Sequence, residues 1–435
     1  MDISLHRNIC CWKLQVRCMT TRYKESGIMG SRVNELTACI LVLLLICIKP
    51  LTLGAQTGDD AVNALVKDGF ENVGWVEDDE ERIYVLQNSA YKLASVGIGK
   101  AIGIIQQKGL PEGKPCRIVV LDNNVPQVSM TYQPVVGDSV AEAKLTDWVA
   151  SYEVDGAWKK VKKAKRKNSS LFKVDLVVYP QLYFKNLIIT QIYQACFELS
   201  PALEVSLWPG SKLQLQVIFP VYNDGYGDEM ENIRPGFLAL EQNFRLPHNI
   251  FVKATVGTSN QRTFGADLRV SHPFKDDRFS VEARVGYVGV GVFNDFWTFK
   301  YSKEKICYWS AGGDFYWPYY NVQLKMRVEQ YLKHDVGIKC EMIRHFKYAS
   351  IGFYAEKSNK ADANGGFRFM VALPPYKYKR HGYIPRVTTS HATGFVYNAG
   401  NEANYYLLPY ASAGDNDIMK HNQYNPNFLN SYIGN

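Results

Sequence analysis

Apolar and polar residues alternate along the chain between residues 174 and 373. In the stretch RFSVEARVGY, Val281 and Val285 would lie on one face of an extended strand, and Glu282 and Arg284 on the other. Because successive side chains of a β-strand point to opposite faces, this period of two predicts strands. Roughly a dozen such stretches are separated by short clusters of turn residues, which predicts an antiparallel meander.

Alternation alone leaves two architectures open, because a soluble β-sandwich shows the same pattern with its apolar face inward. Three features favour a membrane barrel. The stretches are about 9–11 residues long, which is the length of tilted transmembrane strands. Their polar faces carry charges of both signs, and aromatic residues crowd the strand ends, at Trp208, Trp297, Trp309, Trp317, Tyr319 and Tyr320. We therefore predict a mainly β fold, with an antiparallel transmembrane β-barrel of about 12 strands over residues 171–374.

The polar faces of these strands would line the barrel interior. The charged residues at such positions are Lys253, Arg269, Glu282, Arg284, Lys325, Arg327 and Glu329. We expect them to form a polar path or a polar filling, because the interior of an outer-membrane barrel is polar.

The last alternating stretch, NGGFRFMVALPP, resembles the assembly signal with which outer-membrane barrels end. Its polar residue, glycine, aromatic residue and apolar residue are Asn364, Gly366, Phe369 and Val371. Two prolines follow, and proline cannot donate to a strand ladder. This stretch is therefore predicted to be the final strand, and residues 375–435 a polar, Asn/Tyr-rich tail that insertion does not need.

A small α/β domain is predicted before the barrel, over residues 56–133. DDAVNALVKDGF and AYKLASVGIGKAIGIIQQKG have the apolar spacing of helices, and RIYVLQNS and CRIVVLDNNVPQVSMTYQP have that of strands. Residues 134–170 follow as a basic linker, with seven Lys and Arg residues between Lys159 and Lys167. Such a run predicts a solvated loop, and contact with anionic lipid headgroups or an anionic glycan is the alternative.

The most apolar segment runs from Leu36 to Ile48 and is too short for a membrane-spanning helix of about 20 residues. Arg32 precedes it, and small residues follow up to Ala55, which is the pattern of a secretory signal peptide. We expect residues 1–55 to be an N-terminal extension and signal peptide, with translation starting at Met29 and cleavage after Ala55. An uncleaved anchor and a lipoprotein are the alternatives.

The amino-acid composition limits the classes of partner and ligand that we expect for the protein. The chain has 28 Tyr residues, which is typical of outer-membrane barrels and glycan-binding surfaces. Outside residues 1–55 there are 43 basic and 39 acidic residues, so the net charge of +4 is too small to indicate a nucleic-acid partner. The cysteines of this part, Cys116, Cys196, Cys307 and Cys340, lack metal-ligand spacing. We predict no metal and no cofactor.

A search for catalytic motifs gives no enzyme class. The eight His residues do not occur in metal-binding or nucleophile motifs. Glu282 and Glu329 could be combined into a carboxylate pair for glycoside cleavage, but charges that line a barrel interior explain them more simply. We therefore predict no catalytic residues.

Several short segments between residues 60 and 374 resemble one family when they are taken in order. They are GFENV, QNSAYKLASVGIGKAI, FKVDLVVYPQL, ALEVSLWPG, VIFPVYND, RPGFLALEQNFRLP, EMIRHFKYASIGFYA and GGFRFMVALPP. On these segments the chain resembles the YjbH/GfcD-like family of exopolysaccharide and capsule secretion proteins of the Gram-negative outer membrane. The resemblance implies an outer-membrane barrel with periplasmic α/β parts, and it brings no catalytic residues. Members of that family are often longer than this chain.

The sequence thus predicts a non-enzymatic β-barrel of the cell outer membrane that assists biosynthesis or export of exopolysaccharide or capsule. Its expected partners are the polysaccharide, outer-membrane lipid and the capsule or exopolysaccharide secretion proteins. Two alternatives remain: a periplasmic or surface glycan-binding β-protein without a pore, and a glycan-processing enzyme.

Overall fold

The computed structural model describes residues 57–134, 143–186, 193–259 and 262–398, with residues 407, 409–412 and 414–433 near the C-terminus. The predicted signal peptide, its cleavage site and the five N-terminal cysteines lie outside the described residues. Among the described residues, no helix has the length and apolar character needed to cross a membrane.

A small domain begins the described part of the chain. Its elements are helix α1 (57–68), strands β1 (Glu71–Glu77) and β2 (Arg82–Gln87), helix α2 (Ala94–Lys108), strands β3 (Cys116–Asp122), β4 (Val125–Tyr132) and β5 (Trp148–Ser151), and helix α3 (Asp155–Val161). The five strands form one sheet in the order β1-β2-β3-β4-β5. Strands β2 and β3 are parallel, and α2 makes the crossover between them.

The core of the small domain lies on both faces of this sheet. Helices α1 and α2 cover one face with residues such as Leu65, Ile98 and Ile102, none of which is exposed. Helix α3 covers the other face, where Val161 packs with Val85. Because β2 and β3 are buried on both faces, their sequences are almost continuously apolar rather than alternating.

The predicted basic linker differs from the structure. Within residues 134–170, β5 extends the small sheet and α3 packs on it through Val154, Ala157 and Val161. The lysines of α3 lie on its solvent side, as Lys160 does in its ion pair with Asp78 at 2.8 Å. The sequence predicted a loop instead of this helix, because the lysines of the charge run lie on the exposed face of an amphipathic segment.

The large sheet follows the small domain and holds fourteen strands among the described residues. Its first twelve are β6 (Val174–Asn186), β7 (Tyr193–Val205), β8 (Ser211–Asn223), β9 (Arg234–Leu246), β10 (Ile250–Ser259), β11 (Thr263–Pro273), β12 (Phe279–Phe293), β13 (Phe299–Trp317), β14 (Val322–Tyr331), β15 (Asp335–His345), β16 (Ala349–Ser358) and β17 (Asn364–Ala372). Each pairs antiparallel with the next. The mainly β class and the meander are as predicted.

The sequence predicted that the sheet ends at β17, and this was wrong, because two further strands follow. Strand β18 (Arg386–Thr389) pairs parallel with β6, and β19 (Ala392–Asn398) pairs antiparallel with β17. Residues 375–385 lack alternation, so the two prolines mark a return of the chain and not the end of the sheet. The count of about 12 strands was therefore too low, and the region 375–435 is not simply a tail.

The last two helices, α4 (Ile418–Asn422) and α5 (Pro426–Tyr432), return the chain to the small domain. Leu429 is fully buried in the core between α1, α2 and the small sheet, and Ile433 packs there too. The backbone amide of Ala150 donates to the Asn430 side chain at 2.8 Å. Residues 376–435 therefore complete this core and are not simply a polar tail, while their dispensability for membrane insertion stays a prediction.

Candidate functional site: a charged sheet face covered by the C-terminal segment

The large sheet has its apolar residues on the exposed face, the reverse of a soluble β-protein. In β14 the side chains of Leu324, Met326 and Val328 are 40%, 59% and 40% exposed. On the opposite side of the strand, Arg327 is partly buried and Glu329 is 2% exposed. The exposed face of this strand is therefore apolar, and its enclosed face is charged.

The same reversal extends around the sheet. Large apolar residues are exposed on most strands, for example Leu182, Leu203, Leu215, Phe244, Val256, Leu268, Val285, Ile338 and Phe353. Polar residues are buried on the same strands, for example Glu198, Gln216, Arg234, Glu241, Asp267, Arg284, Glu341 and Glu356. Exposed apolar area on this scale indicates contact with another apolar phase or a partner.

Strand register places all seven predicted interior residues on one face, which we call the charged face. Lys253 lies opposite Arg269, and Arg269 lies opposite Arg284. Arg284 and Glu329 both lie opposite Ser310, one on each side of it. Glu282, Lys325 and Arg327 share this face because each is an even number of residues from Arg284 or Glu329 in its own strand.

Most of these residues have a partner on the same face. Lys253 pairs with Glu241 at 2.9 Å, and Lys325 lies 3.6 Å from Asp314. The Tyr308 hydroxyl donates to Glu329 at 3.1 Å. Register places Arg327 between Gly312 and Lys339 on the neighbouring strands. These pairs satisfy charges that would otherwise be buried at a high cost in free energy.

The C-terminal segment, by which we mean the described residues from 407 to 433, lies against the charged face. Asp415 pairs with Arg269 at 2.9 Å and with Arg284 at 2.8 Å. The Tyr410 hydroxyl donates to Asp267 at 2.9 Å. Sequence reasoning missed these residues because they lie outside the alternating region, and an Asp in a short polar stretch gives no signal of its distant partners.

A polar cavity of about 590 Å³ lies between the charged face, the C-terminal segment and the small domain. Its lining includes Lys212, Glu241, Lys253, Arg269, Glu282, Lys325, Asp417, Lys420 and His421, together with Asn123 and Tyr152 of the small domain. The volume falls within the range of small-molecule binding sites. The mixed charges suit a polar ligand and not an apolar one.

Arginine side chains fix the small domain to the large sheet. Arg245 of β9 donates to the carbonyl of Gln127 at 2.7 Å and also to that of Tyr152. Arg380 pairs with Glu71 of β1 at 2.8 Å and with Asp175 of β6. The guanidinium group of Arg380 therefore contacts both the small domain and the large sheet.

Two titratable groups at this junction have shifted pKa values. Lys92 donates to the Thr389 carbonyl at 2.7 Å, and burial, with Arg386 nearby, lowers its pKa to about 8. Burial raises the pKa of Asp277, in the turn between β11 and β12, to about 6. Hydrogen bonds from Tyr152 and Ser151 oppose that rise.

The candidate assembly-signal residues all lie in β17. Asn364 is buried, Phe369 lies opposite Phe395 of β19, and Val371 lies opposite Thr393. A Cβ atom on Gly366 would come within 1.8 Å of the Tyr397 carbonyl oxygen, so glycine lets β19 approach. The assembly role stays a prediction, although the strand is an interior one and not the last.

Glu282 and Glu329, the possible glycosidase pair, each lie beside another polar group of the charged face. Glu282 lies 3.9 Å from Arg269, and Glu329 accepts from Tyr308. Among the described residues, no cluster of three or more His, Cys, Asp and Glu side chains could hold a metal ion.

Comparisons of the chain with protein-family models, with curated proteins and with solved structures gave no match.

Proposed function

We propose that the chain is an outer-membrane β-barrel that assists export of exopolysaccharide or capsule without catalysing a reaction. The observation that carries this proposal is the reversed sheet, with an apolar exposed face and a charged enclosed face. A bilayer stabilises this arrangement, because lipid solvates the apolar side chains and the interior holds the charges. A soluble sandwich would place its apolar face inward.

Contacts between the two edges of the large sheet support a closed barrel. Only residues 390 and 391 separate β18, which pairs with β6, from β19, which pairs with β17. The Thr393 hydroxyl donates to the Pro180 carbonyl at 2.9 Å, and the rings of Phe395 and Phe184 are 5.9 Å apart. One continuous segment therefore links the first and last strands of the meander, and a barrel closed through it would leave no open edge for aggregation.

A periplasmic position for the small domain fits the turns at its end of the sheet. The turns at residues 247–249, 318–321 and 346–348 are short, as periplasmic turns of such barrels are. Arg245, next to the first of these turns, holds the small domain. The exposed aromatic residues Trp317 and Tyr319 lie at the same end, where a membrane interface would favour them.

A polymer of hydrophilic sugars suits the charged face and the polar cavity. The side chains there offer donors and acceptors for hydroxyl and carboxylate groups. The resemblance to the YjbH/GfcD-like family points the same way. The small domain would then be the surface that meets the secretion proteins.

The test is a deletion of the gene in the host, followed by measurement of surface polysaccharide and of heat-modifiable gel migration of the protein. We expect surface polymer to fall in the deletion and to return with the wild-type gene, and folded and boiled protein to migrate differently. Unchanged surface polymer would refute the export role. A protein that is soluble after cell lysis would refute the barrel.

One observation favours a second candidate, a glycan-binding membrane protein without a conducting pore. The C-terminal segment crosses the charged face and the small domain lies at one end, so the space is a cavity of about 590 Å³. Planar-bilayer recordings separate the two candidates, because an export channel would conduct ions when the C-terminal segment is removed from the charged face, and a glycan-binding protein would not.

A further inference from the structure

Two arginines of adjacent strands converge on one carboxylate. Arg269 of β11 and Arg284 of β12 lie directly opposite each other on the charged face. Nη2 of Arg269 lies 2.9 Å from Oδ1 of Asp415, and Nη1 of Arg284 donates to Oδ2 at 2.8 Å. The carboxylate comes from the C-terminal segment and not from the sheet. Guanidinium groups arranged in this way are the usual receptors for carboxylates.

The acidic residues of the sheet do not accept hydrogen bonds from all the N–H groups of Arg269 and Arg284. Glu282 is 3.9 Å from Arg269, which is too long for a hydrogen bond. Arg284 donates through Nε to Asp267 at 2.8 Å, and its Nη2 has no hydrogen-bond partner among the described residues although its side chain is only 4% exposed. A buried donor without a partner is costly, so the site favours a further acceptor.

The C-terminal segment reproduces the surroundings of a bound carboxylate. The backbone amide and the hydroxyl of Ser412 donate to Asp415 at 2.7 Å and 2.9 Å. The Tyr410 ring lies 4.6 Å from the Arg284 guanidinium carbon. Arg269 and Gly414 also line the polar cavity, so the site opens onto space that a ligand can enter.

We propose that Arg269 and Arg284 form a binding site for the carboxylate groups of an acidic polysaccharide, and that Asp415 occupies this site as an internal mimic. The acidic polymer and the C-terminal segment then compete for the same arginines. This inference rests on the proposed function and names its substrate class as a uronate-containing glycan. A neutral glycan would gain nothing from the two arginines.

The test measures binding of oligogalacturonate of defined length to the purified full-length protein in detergent, by isothermal titration calorimetry. Asp415→Asn removes the competing charge, so we expect about tenfold tighter binding, equal to about 1.4 kcal/mol. Asp415→Ser provides a second variant with the same expected gain. A neutral dextran oligomer of the same length should bind equally to wild type and variants.

Asp276→Asn is the matched control, because it makes the same charge change but its carboxylate lies in the turn between β11 and β12, away from the cavity lining, and pairs with Arg278 at 2.5 Å. It should leave oligogalacturonate affinity unchanged. Adding Arg269→Gln to Asp415→Asn should abolish the gain. Heat-modifiable migration of each variant verifies that it is folded.

The inference is overturned if folded Asp415→Asn and Asp415→Ser bind oligogalacturonate no better than wild type, or if the gain survives loss of Arg269. These outcomes are separate from those of the deletion experiment. Normal export with no gain in binding refutes the carboxylate site alone. A gain in binding with export unaffected by deletion refutes the export role and leaves the site.

Discussion

Arg380 is the residue whose loss should most weaken the junction between the small domain and the large sheet. Its two acidic partners are almost enclosed, since the Glu71 and Asp175 side chains are 1% and 10% exposed. Uncompensated loss of a buried partner costs about 3–5 kcal/mol. Here each acid keeps one cation, because Lys173 lies 2.8 Å from Glu71 and Arg386 lies 2.8 Å from Asp175. For Arg380→Met we therefore expect the lower cost of about 2–3 kcal/mol.

Hydrogen exchange of the full-length protein in detergent measures this cost locally. At about 1.4 kcal/mol per factor of ten, the amides of β1 should exchange roughly 30- to 140-fold faster in Arg380→Met. Arg278→Met is the control, because Arg278 and its partner Asp276 are 49% and 44% exposed and such pairs contribute about 0–1 kcal/mol. Equal exchange in Arg380→Met and wild type, or an equal effect of Arg278→Met on β1, would refute the reasoning.

Three further predictions follow from the faces of the sheet, the junction and the C-terminal helix. Met326→Arg should destabilise the folded barrel by about 2–4 kcal/mol and so lower the folded, heat-modifiable fraction in outer membranes. Loss of the neighbouring interior charge in Arg327→Met should leave membrane insertion intact. Leu429→Ala should destabilise the small domain by about 2–5 kcal/mol in hydrogen exchange, because the side chain is fully buried there. When exchange rates are divided by the intrinsic rates at each pH, the protection of residues 148–153 should rise as the pH is lowered from 7 to 5, and Asp277→Asn should remove that rise. The reason is that a carboxyl whose pKa rises from 3.8 to about 6 on folding takes up a proton, so it adds stability as the pH falls through 6 and loses it as the pH rises.

The alternation of residues predicted the large sheet and its two faces well. Period two is a local property, so Lys325, Arg327 and Glu329 could be assigned to one face without knowledge of the neighbouring strands. The helices and strands of residues 57–132 were visible for the same reason, because their apolar spacing is set within each element.

The parts that could not be predicted depend on contacts between distant segments. Strands β18 and β19 are four and seven residues long, and they pair with β6 and β17 after a stretch without alternation. Asp415 lies more than a hundred residues from its partners Arg269 and Arg284. Helix α3 was not predicted because its lysines belong to a charge run, and its two buried apolar residues, Ala157 and Val161, were too few to show a clear period.

Contact between lipid and the apolar exposed face of the large sheet is tested most directly at the native residue Cys340. Cys340 is a free cysteine on that face, opposite Met326. A sulfonated maleimide, which does not enter a bilayer, is added to intact outer membranes and to denatured protein. As a control, Lys108→Cys places a thiol on the exposed surface of α2.

We predict that Cys340 stays unlabelled in intact membranes and is labelled after denaturation, while the thiol at position 108 is labelled in both states once the periplasmic side is accessible. Labelling of Cys340 in intact membranes at the rate of the denatured protein would contradict the claim. In that case water or a soluble partner, and not lipid, would cover the exposed face.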